Sequence, residues 1–330
     1  MTGIRPTLFL LLLSVSVHSQ TVKILNTGTL SSFRGLSVVS DRIIWASGNK
    51  GTVGRSIDGG QNWKWMVVKG FEKNDFRDIE GFSATTAIVM GISSPAYILK
   101  TTDGGDSWKI CYENKDTSMF LDAMDFSNRS NGVVIGDPIR HKIFIAQTFD
   151  GGDSWRPVSK KYLPDAETGE ACFASSGTNI RLHNHNYYFI TGGLRSRYFA
   201  GSKPRDLPIL QGRESTGANS IAIKNKRVFI VTGGDFNTPD SQRLVCFITK
   251  NGGKTWQAPN NGPFGYRSCV EFLEGNNWIS CGLNGVDYSK DDGRTWEKIS
   301  GEGFNVCRKA KLGKSVFFAG PQGRVGILTR

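Results

Sequence analysis

Histidine, helical periodicity and redox signatures are all scarce in this sequence. Of 330 residues, 4 are histidine and 6 are cysteine. No C-x-x-C pair occurs, which argues against dithiol redox catalysis and a zinc ribbon. Residues His183 and His185 form an H-x-H in the turn-like stretch LHNHNYY, with no third ligand beside them. No segment of a dozen residues carries sustained helical periodicity. No Pro/Ser-rich linker divides the chain, and after residue 20 no apolar stretch approaches the ~20 residues of a spanning helix. These absences leave a single all-β domain for which neither metal nor cofactor is expected.

The N-terminus is of another kind. Arg5 precedes a nearly unbroken apolar run, Leu8 to Val17, and Val17-His18-Ser19 suits a signal peptidase. Residues 1–19 are therefore expected to be a cleaved leader, residues 20–330 the domain, and the location secreted or periplasmic. The domain is rich in turn and strand formers, with 40 Gly, 20 Phe and 8 Trp. Its formal net charge of +12 favours acidic partners. After export these would be an exported or envelope protein or an anionic glycan rather than nucleic acid. The basic residues are scattered, apart from Arg195, Arg197, Lys203, Arg205 and Arg213.

A repeat organises the chain. Five segments share the form S/T-x-D/N-x-G-x-x-W: SIDGGQNW at 56–63, TTDGGDSW at 101–108, TFDGGDSW at 148–155, TKNGGKTW at 249–256 and SKDDGRTW at 289–296. The motif positions are Asp58, Asp103, Asp150, Asn251 and Asp291, and the closing aromatics are Trp63, Trp108, Trp155, Trp256 and Trp296. Successive gaps of 45, 47, 101 and 40 residues place an eroded sixth copy near FAGSKPRD, 199–206. The chemistry is that of a hairpin turn. The Asp or Asn side chain caps backbone N–H groups two residues on, and Gly supplies positive φ. A calcium loop would need further oxygen ligands at fixed spacing, which are absent. The boxes therefore read as scaffold.

These boxes resemble the Asp-box (BNR) repeats of sialidases, sortilin-type receptors and, most closely, photosystem II stability/assembly factor-like propellers. SFRGLSVVSDRIIWASGNKGTVGRSIDGG (32–60), FRDIEGFSATTAIVM (76–90), NGVVIGDP (131–138) and LPDAETGEACFASSGTNI (163–180) carry the resemblance, with TGG at 191–193 and 232–234. It implies a seven-bladed β-propeller. Spacing gives the same count, with blades opening near residues 33, 76, 121, 171, 219, 267 and 305. The last unit lacks a box, and TVKILNTG at 21–28 reads as its missing outer strand, closing the ring.

In such a ring the first strand of each blade lines the channel. Arg34, Arg77, Asp78, Asp122, Glu170, Arg267 and Arg308 are the candidate ligand-binding residues at its mouth, with Glu80 and Asp125 also facing the bore. Arginines suit a carboxylate or phosphate. A sialidase would need an Arg-Ile-Pro element and a Tyr/Glu pair, and neither is found. Asp122 and Glu170 could in principle serve another glycosidase. No residue is assigned a catalytic role. The expected function is a non-catalytic, monomeric interaction or assembly platform, with an exo-acting glycosidase or a carbohydrate-binding module as alternatives. Among Cys111, Cys172, Cys246, Cys269, Cys281 and Cys307, the pair Cys269 and Cys281 flanks Gly275 symmetrically and could form a disulfide across one hairpin. Asn128-Arg129-Ser130 is a glycosylation sequon.

Overall fold

The computed structural model describes residues 20–25, 27–183 and 186–329. The expected leader and His185 lie outside them. Short runs of β-branched and aromatic residues pair mostly with their chain neighbours and build seven antiparallel sheets. Blade 1 is Phe33–Val38, Ile44–Gly48, Thr52–Ser56 and Lys64–Val67. Blade 2 runs from Phe76–Gly81 to Lys109–Asn114, and blade 3 from Leu121–Phe126 to Arg156–Pro157. Blade 6 runs from Cys269–Glu274 to Glu297–Ser300. The first strands touch one another in a closed ring around the channel. The described residues contain no α-helix, only a 3-10 turn at Lys160–Tyr162. None of their helices is long and apolar enough to cross a membrane.

Burial falls from the axis outward. The second strand Ile44–Gly48 is buried throughout, because both faces of its sheet pack against neighbouring sheets, whereas the outer Lys64–Val67 is largely exposed. Blade 7 is built from both chain ends: Val306–Lys309, Val316–Ala319 and Val325–Thr329, with Thr21–Leu25 antiparallel to Val325–Thr329. The expected closing strand thus occupies its expected place.

Residue 171 does not open a blade. The inner strand of blade 4 is Ile180–His183, followed by Asn186–Ile190, Arg197–Ala200 and Lys203–Asp206. The pair Glu170–Ala171 meets Gly192–Gly193 instead and extends the sheet of blade 5, whose main strands are Thr216–Ile223, Phe229–Asp235 and Cys246–Thr249. The eroded copy at 199–206 is the hairpin joining the last two strands of blade 4, the position the box hairpins hold elsewhere.

The hairpins themselves work by a longer reach than an Asx-turn. Ser56 Oγ donates to Asp58 Oδ1 (2.9 Å) and accepts from the Gly60 N–H (2.9 Å). Asp58 Oδ1 accepts from the N–H of Asn62, four residues on rather than two (2.9 Å). The same bonds recur around Asp103, Asp150, Asn251 and Asp291. These bonds hold the Asp58 carboxyl down, to about 2.

Candidate functional site

A repeated irregularity of the first strands builds one mouth of the channel. Pairing with the second strand skips Arg34 in blade 1, Arg77 in blade 2, Asp122 in blade 3 and Asn219 in blade 5. A β-bulge leaves its extra residue outside the ladder and re-aims its side chain. Here that aim is inward, and Arg34, Arg77 and Asn219 line one pocket together with Ser268 and Asn305, which precede the first paired residues of blades 6 and 7.

The pocket is blind because the chain plugs the bore. After Ala171 the segment FASSGTN leaves the sheet and crosses the channel. Ser175 O accepts from Arg34 (3.4 Å), and Ser176 Oγ donates to Ser268 O (2.7 Å). Thr178 Oγ1 donates to Ser220 Oγ (2.7 Å), and Gly177 O accepts from Arg308 Nη2 (3.0 Å). Gly177, at φ +62, also lies so close to the Asp78 carboxylate that a Cβ would overlap it. The result is a cavity of about 400 Å³, floored by Cys172, Ala174 and Ser175 and walled by Phe120, Phe173, Phe236 and Tyr266.

Its charge is mixed but leans positive. Burial, and then the like charge of Arg77, lower the Arg34 pKa. Arg34 has no ion pair among the described residues, while Arg77 Nε is held by Asp75 (2.8 Å) and its guanidinium lies over Phe120. Tyr266 donates to Asn219 Oδ1 at 2.9 Å. Asp137, which sequence reasoning missed, also lines the cavity, and burial pushes its carboxyl up to about 6. Behind it Asp122 is wholly buried. Burial and the neighbouring Asp137 raise it far above the carboxylate range.

The seven candidates therefore separate. Arg34 and Arg77 share the pocket, and Asp122 sits behind its wall. Asp78 and Arg308 line the opposite mouth, a smaller cavity of about 160 Å³ with Glu80, Asp125, Arg181 and Glu271. Asp78 there accepts from the Met124 N–H (2.8 Å) and Asp125 from the Leu182 N–H (2.5 Å), tying neighbouring inner strands together. Burial brings the Asp78 carboxyl to about 7. Glu170 and Arg267 reach neither mouth. Glu170 is paired with Arg197 and held by Thr191, and Arg267 is enclosed with Asp287. Arg195 is paired with Asp206, so the basic 195–213 stretch is partly neutralised.

Two groups of side chains have the spacing of metal ligands, although none was expected. Asp122, Asp137 and Cys172 form one, and Cys269, Cys281 and Cys307 the other, each with ligand atoms within 4.8 Å of one another. Cys269 does face Cys281 across the hairpin, as its symmetry about Gly275 suggested. All six cysteines are free thiols, so no 269–281 bridge is present. Cys307 Sγ stands 3.7 Å from Cys269 Sγ as a third member.

The ring, its plug and its bulge-lined mouth define a seven-bladed β-propeller. Among solved structures the chain is similar to "YCF48 bound to D1 peptide", with 15% identity, a TM-score of 0.67 and 96% of each chain covered. It is similar to YCF48 from Cyanidioschyzon merolae, with 17% identity, a TM-score of 0.66 and coverage of 93% of this chain and 98% of that one. The WD40 propeller domain of Doa1 follows at 12% identity and a TM-score of 0.63, covering 95% and 97%. No protein-family model and no curated protein matches the sequence. At these identities the likeness establishes the fold.

Proposed function

We propose that the protein is exported and serves as a non-catalytic interaction platform, receiving an acidic segment or terminal carboxylate of an exported protein at the bulge-lined mouth. The observation that carries this reading is Arg34, a half-buried guanidinium without an ion pair, beside Arg77 in a blind, aromatic-walled pocket. A free guanidinium holds a carboxylate through two parallel bonds, and the phenylalanine walls offer apolar surface to the side chains beside it. A propeller of the same architecture has been solved with a peptide bound. Crosslinking in the native envelope would identify the partner. Binding of its acidic segment should weaken roughly 10–100-fold with Arg34→Ala, the worth of one or two charge-assisted hydrogen bonds. If binding survives the Arg34→Ala/Arg77→Ala double substitution, the pocket is not the site. Capture of an anionic glycan in place of protein would replace the partner class.

Asp137 favours a second reading, because a carboxyl raised to about 6 in a pocket is what a general acid requires. Its neighbour Asp122 does not line the cavity. Turnover of fluorogenic glycosides, sialosides included, would support a glycosidase, and its absence at high protein concentration would remove that reading.

A further inference from the structure

Three sulfurs meet between blades 6 and 7. Cys269 begins the inner strand of blade 6, Cys281 is its direct partner on the second strand, and Cys307 comes from the inner strand of blade 7. All three are fully enclosed. Their neighbours are apolar, Phe33, Ile279, Phe304 and Ala319 among them. A single cation about 2.3 Å from each of three sulfurs holds them about 4 Å apart in a plane. The observed sulfurs lie within 4.8 Å of one another, with Cys269 and Cys307 at 3.7 Å.

The geometry points to a three-thiolate site for a soft monovalent cation of the copper(I) type. Thiolates select copper(I) and zinc over harder ions. Zinc in a closed site takes four ligands. Among the described residues no His, Asp or Glu atom joins these three sulfurs, and the enclosure leaves no open side for water. Charge also fits. Three thiolates and one copper(I) carry two negative charges, and the Arg308 guanidinium lies 3.8 Å from Cys269 Sγ. Arg308 also lines the far mouth, where Asp78, Glu80, Asp125 and Glu271 would draw a cation in. Binding exchanges the three thiol protons, released to solvent, for the cation, and no oxidation state changes.

This site is independent of the Arg34 pocket and is tested on the reduced full domain. Titration with copper(I) buffered by a chromophoric chelator should show one ion withdrawn per chain. X-ray absorption on that wild-type complex should show three sulfur neighbours at about 2.3 Å. Cys269→Ser and Cys307→Ser should each lose the ion by at least 100-fold in affinity, whereas Cys246→Ser, a buried cysteine of blade 5, should retain it. No copper withdrawn by the wild type, nitrogen or oxygen ligands in its spectrum, or equal binding by folded Cys307→Ser would overturn the assignment. So would zinc binding with a fourth ligand in preference to copper(I). The wild-type spectrum decides the matter even where a variant does not fold.

Discussion

Arg34 and Arg267 look equivalent along the chain, yet one faces a cavity and the other is sealed in. In blade 6 pairing resumes at Cys269 opposite Cys281, which makes Ser268, not Arg267, the counterpart of Arg34. A shift of one residue turns a side chain to the other face of a strand, and Arg267 accordingly meets Asp287 inside the blade, both fully buried. Removing one partner of such a pair leaves an uncompensated buried charge. Arg267→Met is expected to cost about 3–5 kcal/mol in urea denaturation, and Asp287→Asn added to it should recover most of that. A second expectation concerns acidity. The folded-state pKa of Asp137 is raised from 3.8 to about 6. The stability it confers is present below pH ~4 and is lost as pH rises through about 6. Asp78 behaves likewise, through about 7. The box carboxylates have the opposite sign, since Asp58 is lowered to about 2 and its support is lost only as pH falls that far. The domain should thus be more stable at pH 5 than at pH 8. Asp137→Asn should reduce that difference by about 1 kcal/mol at most, because only about one unit of the shift falls between the two pH values and the group is partly solvated. A urea midpoint that does not move between the two pH values would contradict this.

In blades 1, 2 and 6 the first strand enters against the last residue of the second strand, and that residue is glycine. A Cβ on Gly48 would lie 2.3 Å from Ser32 O, and one on Gly282 2.0 Å from Tyr266 O. The crowding comes from backbone, which cannot rotate away. Gly48→Ala should cost at least 1–3 kcal/mol in thermal or urea unfolding, whereas Gly301→Ala, which meets open space, should stay within about 0.5 kcal/mol. Equal effects would mean that the approach is not tight. These glycines, the boxes and their spacing were readable because hairpins and close approaches demand particular residues. The bulges were not, since no residue type marks an unpaired position: Arg, Asp and Asn all occupy it. The same limit explains the misplaced fourth blade. FASSGTN has the apolar-then-small pattern of an inner strand, and only contacts with distant strands, such as Ser176 with Ser268, turn it into a plug. Asp137 and Cys172 were missed for this reason, as they line the pocket only because the plug is there.

The propeller is closed by a single seam, five residue pairs joining Thr21–Leu25 to Val325–Thr329. The other blades are joined through covalent loops, so the seam is where the ring can open. Val22 and Leu25 pack on the core of blade 7, and Leu25 lies beside Gly60 of blade 1, so the strand also seals one blade to the next. Deleting Thr21–Leu25 would leave Val325–Thr329 as a bare edge, which invites pairing with another chain. The truncated domain should melt at lower temperature and elute as oligomers at concentrations where the whole domain does not. The reverse manipulation is available at the seam's end, where Thr21 Oγ1 and Thr329 Oγ1 are 2.7 Å apart. Thr21→Cys with Thr329→Cys places two thiols on directly paired residues. Oxidation would close a loop spanning nearly the whole domain, for which chain entropy gives roughly 5 kcal/mol of stabilisation. The oxidised double variant should therefore unfold at higher temperature than its reduced form, and return on reduction. If the bridge forms and the melting temperature is unchanged, unfolding does not begin at the seam, and the ring is held by blade-to-blade packing at every position alike.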